Sequence, residues 1–273
     1  MTTTACSSDS RIMRHGPNMH GRDLIVGDIH GTFSVVESAL RHAGFDFEKD
    51  RLFSVGDLVD RGPESTRAVR FIDHPRIFPC LGNHEDMFLE IYAETDEPDD
   101  AILRYMTSRN GMEWWNDLAQ DQRMGMIRAF RSLPLVQEIE TTRGLVGLVH
   151  AEVPIGMDWQ TFLAAIEDGD KAAIKSALWG RSRLSHGDTS GVRGIDRIFC
   201  GHTITDMPVR SGNIYNIDTG SFVGISEKYS GTGRLTMAHL TSATQIFTRA
   251  PSDGTFDLRE EPVSDRPFGA YAQ

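Results

Sequence analysis

The stretch Gly56-Asp57-Leu58-Val59-Asp60-Arg61-Gly62-Pro63 sets two carboxylates and an arginine close together between glycines. That spacing suits chemistry on an anionic group better than it suits packing, and Asp57 is the expected pivot of a metal site. An apolar run, Leu52-Phe53-Ser54-Val55, precedes it and a helix-like segment follows. The loop therefore leaves the carboxyl end of a strand, where ligands of open α/β sheets collect. Two neighbouring runs end in the same manner: Leu24-Ile25-Val26 in Gly27-Asp28-Ile29-His30-Gly31, and Ile77-Phe78-Pro79-Cys80-Leu81 in Gly82-Asn83-His84-Glu85. Further along, Leu145-Val146-Gly147-Leu148-Val149 ends at His150 and Ile198-Phe199-Cys200 ends in Gly201-His202-Thr203. Strand ends of one packed scaffold converge on one edge, so Asp28, His30, Asp57, Asn83, His150 and His202 can share a site.

This set joins aspartates, histidines and an amide with no thiolate. Mixed oxygen and nitrogen ligation suits Mn, Fe or Zn in five- or six-coordinate geometry and disfavours a structural zinc. The set is too large for one metal that must also hold substrate, and it suits two divalent ions with a carboxylate bridging them. Such a pair, roughly 3.5–4 Å apart, lowers the pKa of a shared water and clamps a phosphoryl oxygen. Arg61 and Arg181, each on a loop beside a proposed ligand, can make bidentate contacts to phosphate oxygens. His84 is then free to protonate a leaving alkoxide, and Asp60 to hold its other ring nitrogen and raise its pKa. The expected chemistry is hydrolysis without a covalent intermediate. Taken singly, a histidine at a strand end reads as a hydrogen-bonded structural residue and an aspartate beside glycine as a turn; only the set carries the chemical reading. His42, His74, His186 and His239 lack this context and are given no role, and Met112, Trp114 and Trp115 read as core.

The elements that must position these groups alternate short apolar runs with helical patterns from Leu24 onward, the signature of βαβ units. Val36, Leu40 and Ala43 recur at helical spacing and Gly44 is placed as a helix stop. Residues 86–133 read as a helical cap beside the sheet, interrupted by the acidic loop Asp96 to Asp100 and by Asn110-Gly111, with Met124, Ile127 and Phe130 on its buried face. After Pro134 the pattern turns to strands, with a hairpin at Thr142-Arg143-Gly144. Short helices are expected around Trp159 to Ile166 and Lys171 to Leu178, and further strands at Ile214 to Ile217, Leu235 to Leu240 and Gln245 to Thr248. Residues 1–21 read as a mobile arm with His15 and His20 solvated, residues 22–250 as a single catalytic domain, and residues 251–273 as an irregular tail.

Apolar residues make up 39% and charged residues 25% of the 273-residue chain, as in an ordinary globular protein. A net charge of −11 argues against non-specific binding to nucleic acid or anionic membrane, so any attraction for phosphate must be local. No apolar run reaches the ~20 residues of a membrane helix and the amino terminus lacks a secretory pattern, so the expected location is cytoplasmic. Cys6, Cys80 and Cys200 are widely spaced, and the latter two are expected as buried free thiols.

The loops resemble those of the phosphoprotein phosphatase family of calcineurin-like metallophosphoesterases, above all the branch of phage lambda protein phosphatase and the bacterial serine/threonine phosphatases. The similarity rests on the five loop motifs quoted above, on Trp179-Gly180-Arg181 and on Ile217-Asp218-Thr219-Gly220, and it spans residues 22–225. It implies an α/β (α+β) fold, a two-sheet β-sandwich flanked by helices, which is more specific than the βαβ pattern. It implies that Asp28 and His30 bind one metal, that Asp57 bridges, and that Asn83, His150 and His202 bind the second, with Mn the expected ion. It implies His84 as general acid paired with Asp60, and Arg61 and Arg181 on phosphate. The activity implied is hydrolysis of phosphoserine and phosphothreonine in proteins by a metal-bridging hydroxide, extending to phosphotyrosine. The rival is a symmetrical dinucleoside tetraphosphatase, which resembles Gly-Asp-Leu-Val-Ala-Arg-Gly where this chain has Asp60. A scaffold that kept only the fold would be expected to have lost ligands.

Overall fold

The structure is a computed structural model that describes residues 11–225, 227–240, 245–249 and 256–260. Strands β1 to β12 are Ile12–His15, Asp23–Val26, Arg51–Ser54, Ile77–Pro79, Val136–Thr141, Gly144–Val149, Arg197–Cys200, Val209–Ser211, Ile214–Asn216, Leu235–His239, Gln245–Arg249 and Phe256–Glu260. Helices α1 to α8 are Phe33–His42, Ala68–Ile72, Asn83–Ile91, Asp100–Thr107, Gln120–Arg131, Trp159–Glu167, Lys171–Trp179 and Ser182–Ser185. The strands form two six-stranded sheets, ordered β1-β5-β6-β7-β9-β8 and β12-β11-β10-β2-β3-β4. In the second sheet β2, β3 and β4 run parallel, joined by α1 and α2 as the βαβ pattern anticipates.

Alternation along the strands explains why two sheets stack with helices outside. In β2, Ile25 faces a cluster shared with Phe53, Val55, Leu148, Phe199, Tyr215 and Ile217, drawn from both sheets. Its neighbours Leu24 and Val26 face the other way, into a cluster with Val36, Leu40 and Phe88 of the flanking helices. Strands buried on both faces read as continuous apolar runs, which is how β2 and β3 look in the sequence.

Local signals fix the helix ends. α1 buries Val36, Ala39 and Leu40 and stops before Gly44, whose φ of +58° suits a residue without Cβ. Asp158 and Asp170 cap α6 and α7, accepting hydrogen bonds from the backbone N–H groups of Thr161 and Ala173. Thr142-Arg143 turns the β5–β6 hairpin, where Thr141 pairs with Gly144. Cys80 and Cys200 are buried free thiols, and Cys6 lies outside the described residues.

Two boundaries drawn from the sequence are corrected. The arm is not mobile throughout, because Ile12–His15 forms β1, parallel to Val136–Ile139. His15 is accordingly not solvated: its Nε2 is 2.8 Å from Gln137 Oε1 and its ring stands edge-on to Phe53 and Phe78. Burial lowers its pKa to about 4. The segment after residue 250 is not wholly irregular either, since Phe256–Glu260 pairs antiparallel with Gln245–Arg249.

Candidate metal and phosphate site

The segments after β2, β3, β4, β6 and β7 meet at one edge of the sandwich and bring nine of the ten residues expected from the sequence there; the tenth, Arg181, lies between α7 and α8 and reaches the same edge through Thr203. Five of them adopt a left-handed backbone: His30 (φ +46°), Asp57 (+50°), Asp60 (+72°), Arg61 (+67°) and His202 (+68°). Each such residue costs roughly 1–2 kcal/mol, and such strain collects at functional sites. The crossing is close, for a Cβ at Gly201 would lie 1.8 Å from Asp28 Oδ1.

Asp57 sits at the centre, 2% exposed. Its Oδ2 is 3.4 Å from His30 Nε2 and its Oδ1 is 3.3 Å from His150 Nε2. Burial alone would raise its pKa, but His150, His84, His30 and Arg61 overcome burial and hold the group well below the usual carboxylate range. On one side lie His30, His84 and Asp57, on the other Asp57, His150 and His202, two clusters whose donor atoms each could hold a metal ion. His30 Nδ1 is 2.9 Å from the Val59 carbonyl and His150 Nδ1 is 3.0 Å from the Val55 carbonyl. Those carbonyls only accept, so each ring donates there and turns an Nε2 lone pair into the site.

The donor set fits a cation. His150 Nε2 and His202 Nδ1 approach Asn83 Oδ1 at 2.9 and 2.8 Å. The His150 contact sets one acceptor against another, an arrangement that a cation between them relieves. Among the described residues, Asp28 Oδ1, His202 Nε2 and Asp218 Oδ2 are buried without a hydrogen-bond partner, which is costly unless another species satisfies them. Burial, with Asp218 and then Asp57, raises the pKa of Asp28. Burial and the neighbouring His150 lower His202 to about 3, and burial lowers His30 and His150, so all three rings are neutral and able to ligate near pH 7.

Beside the clusters, His84 Nδ1 is 2.5 Å from Asp60 Oδ2. Burial opposes the imidazolium, yet Asp57 and Asp60 raise the pKa of His84 above its ordinary value. Arg61 spreads its fork across the front, donating from Nη1 to His30 Nε2 at 2.8 Å and from Nη2 to His84 Nε2 at 2.9 Å, with its guanidinium 4.7 Å above the Phe222 ring. Arg181 is exposed at the rim and donates to Thr203 Oγ1 at 3.3 Å.

Three neighbours escaped sequence reasoning. Glu85 is fully buried and accepts from the backbone N–H groups of Gly82, Asp57, Leu58 and Val59 at 2.8–3.2 Å. Its place three residues after Gly82, as in a capping box, was the available signal. Asp218 stands next to Asp28 because the chain at Gly27 passes so near Ile217 that a Cβ there would be 2.3 Å from its carbonyl. Burial and then Asp57 raise its pKa to about 6. Trp114 is half-buried and packs against the core as expected, and in addition donates Nε1–H to Asp60 Oδ1 at 2.7 Å, while Met112 and Trp115 are fully core.

Residues 22–206 match the model of the calcineurin-like phosphoesterases. The chain belongs to that family. Two of its relatives, the serine/threonine-protein phosphatases 2 and 1 of Salmonella typhimurium, are each 31% identical to it, over 72% and 79% of this chain and 87% and 90% of theirs. The symmetrical bis(5'-nucleosyl)-tetraphosphatase of Serratia proteamaculans is 30% identical over 44% of this chain and 46% of its own. A solved serine/threonine phosphatase of Saccharomyces cerevisiae shares the fold of this phosphoesterase with a TM-score of 0.54 at 17% identity, covering 93% of this chain and 85% of that one. As a calcineurin-like phosphoesterase the protein is a hydrolase, and its His and Asp clusters support a divalent metal cofactor.

Proposed function

We propose that this phosphoesterase is a serine/threonine protein phosphatase that uses two Mn ions. The observation that carries the reading is the buried Asp60–His84 pair, with His84 Nε2 turned toward Arg61 at the site's open side. Serine and threonine leave as alkoxides, poor leaving groups that need a proton as the P–O bond breaks; a general acid of raised pKa supplies it. The nucleotide leaving group of a dinucleoside tetraphosphate needs no such proton, so the pair favours the monoester over the rival substrate. The phosphatase relatives also match a larger share of the chain than the tetraphosphatase does.

In this reading Asp28 and His30 hold the first cation, Asn83, His150 and His202 the second, and Asp57 lies between them. When bound, the ions supply Lewis acidity that ionises a water and neutralises phosphate charge. Arg61 swings from the two imidazoles to the phosphate oxygens, and Arg181 approaches from the rim. Asp60 accepts the Nδ1 proton of His84 and favours the imidazolium, so that once Arg61 has moved away the Nε2–H faces the leaving oxygen and gives it the proton, leaving His84 neutral with Nδ1–H still on Asp60. No helix among the described residues is long and apolar enough to cross a membrane, and a cytoplasmic place is part of the proposal.

The decisive experiment assays a panel of phosphoserine, phosphothreonine and phosphotyrosine peptides beside diadenosine tetraphosphate, with Mn, Fe or Zn supplied in turn. Preferential turnover of the phosphopeptides with Mn is expected. Preference for the dinucleotide would reverse the assignment.

A further inference from the structure

The indole of Trp114 ends on the carboxylate that serves His84. Its Nε1–H donates to Asp60 Oδ1 at 2.7 Å while Asp60 Oδ2 faces His84 Nδ1 at 2.5 Å, so each carboxylate oxygen has its own partner. Asp60 and His84 are both buried. The segment that carries the indole grips the same loop, because Arg61 N–H donates to the Gly111 carbonyl at 3.2 Å and a Cβ at Gly111 would lie 2.5 Å from Arg61 N. Phe88 and Trp115 hold the indole edge-on at 5.8 and 5.5 Å between ring centres.

We infer that Trp114 is a positioning residue for proton delivery: it fixes the rotation of the Asp60 carboxylate and so aims His84 Nε2 at the leaving-group oxygen. The inference rests on His84 being the general acid. The terminal torsion of an aspartate is broad and nearly two-fold. With His84 as its only side-chain partner, the carboxylate would swing and carry the imidazole with it. A second donor on the opposite oxygen removes that freedom, and proton transfer responds to small misplacements of the acid. The helical cap thereby reaches the chemistry through one N–H group. A purely structural indole would slow every substrate alike when altered, whereas a positioning indole slows those whose leaving group needs a proton.

The test compares Trp114→Phe, and Trp114 replaced by benzothienylalanine, on two substrates with Mn present. Benzothienylalanine keeps the bicyclic ring and lacks only the N–H, so the test survives if the phenylalanine variant fails to fold. The substrates are a phosphoserine peptide and 2,4-dinitrophenyl phosphate, whose leaving group departs as a stable anion. Out of the ~10²–10⁴-fold that general acids contribute, kcat on the peptide should fall about tenfold. On the dinitrophenyl ester it should change by less than about twofold, with KM and metal content preserved. His84→Asn, run alongside, should show the same discrimination more strongly. Should His84→Asn slow both esters equally, the general-acid reading falls and this inference with it. Should His84→Asn discriminate while both Trp114 variants slow the two esters equally, or neither, the positioning role alone is overturned.

Discussion

Replacing Glu85 with glutamine tests whether one buried side chain holds the loop that carries Asp57. Its Oε2 accepts from Gly82 and Asp57 at 3.0 and 3.1 Å, and its Oε1 from Leu58 and Val59 at 2.8 and 3.2 Å. Glutamine keeps the length and one acceptor oxygen but turns the other oxygen into an NH2 group that meets two backbone donors head-on. Two buried N–H groups then lack a partner, each costing ~1–3 kcal/mol, so the expected loss is ~2–6 kcal/mol. Domains hold only about 5–15 kcal/mol in total, so the loss is a large fraction. At about 2–4 °C per kcal/mol for a domain near this size, the melting temperature should drop by roughly 4–24 °C. Because the released pair is either Gly82 and Asp57 or Leu58 and Val59, and either release loosens the backbone at Asp57, metal stoichiometry by elemental analysis should fall as well. A Glu85→Gln protein that melts like the parent and binds as much metal would refute the reasoning, since the four bonds would then contribute nothing.

Asp57→Asn should remove at least one bound metal, because the carboxylate turns one oxygen toward each cluster and an amide offers only one; unchanged metal content by elemental analysis would contradict the proposed bridging role. Arg181→Ala should chiefly weaken inhibition by inorganic phosphate, by about tenfold on the scale of a charge-assisted contact, and an unaltered inhibition constant would count against its contact with phosphate. His15 carries a prediction far from the chemistry. Its folded pKa of about 4 lies below the ordinary 6.5, so the unfolded chain takes up a proton that the folded one refuses as pH falls through that window. Stability should therefore be present above about pH 6.5 and be lost toward pH 4. Thermal melts of His15→Gln should show a shallower pH slope there, and an identical slope would mean that His15 does not titrate as its burial implies.

The strands that end in the site were legible because each is a buried apolar run closed by a polar residue, behind a glycine in every case but β6, where His150 follows Val149 directly. β1 was not legible: Ile12–His15 is short, and its order comes from a parallel partner more than a hundred residues away, which leaves no turn signal between them. β12 is a different case: it pairs antiparallel with its sequence neighbour β11, and the charged, proline-bearing sequence around it concealed it. At the site, residues that do chemistry announced themselves by type and loop, whereas those that hold them did not. Glu85 looks like any helix acid until its four donors are seen, and Asp218 gains meaning only from the approach of Gly27 to Ile217. Trp114 carries two properties at once, ring and N–H, and its apolar neighbours concealed the second.

The left-handed backbone at His30, Asp57, Asp60, Arg61 and His202 bears on how such a protein can change over generations. Glycine would relax any of these positions while erasing its side chain's contribution. The relief of roughly 1–2 kcal/mol of backbone strain at each position is set against the cavity and the unpaired groups that removing a buried side chain such as His30 or Asp57 leaves behind. These positions are thereby held twice, by the contacts their side chains make within the fold and by the chemistry they are placed to do.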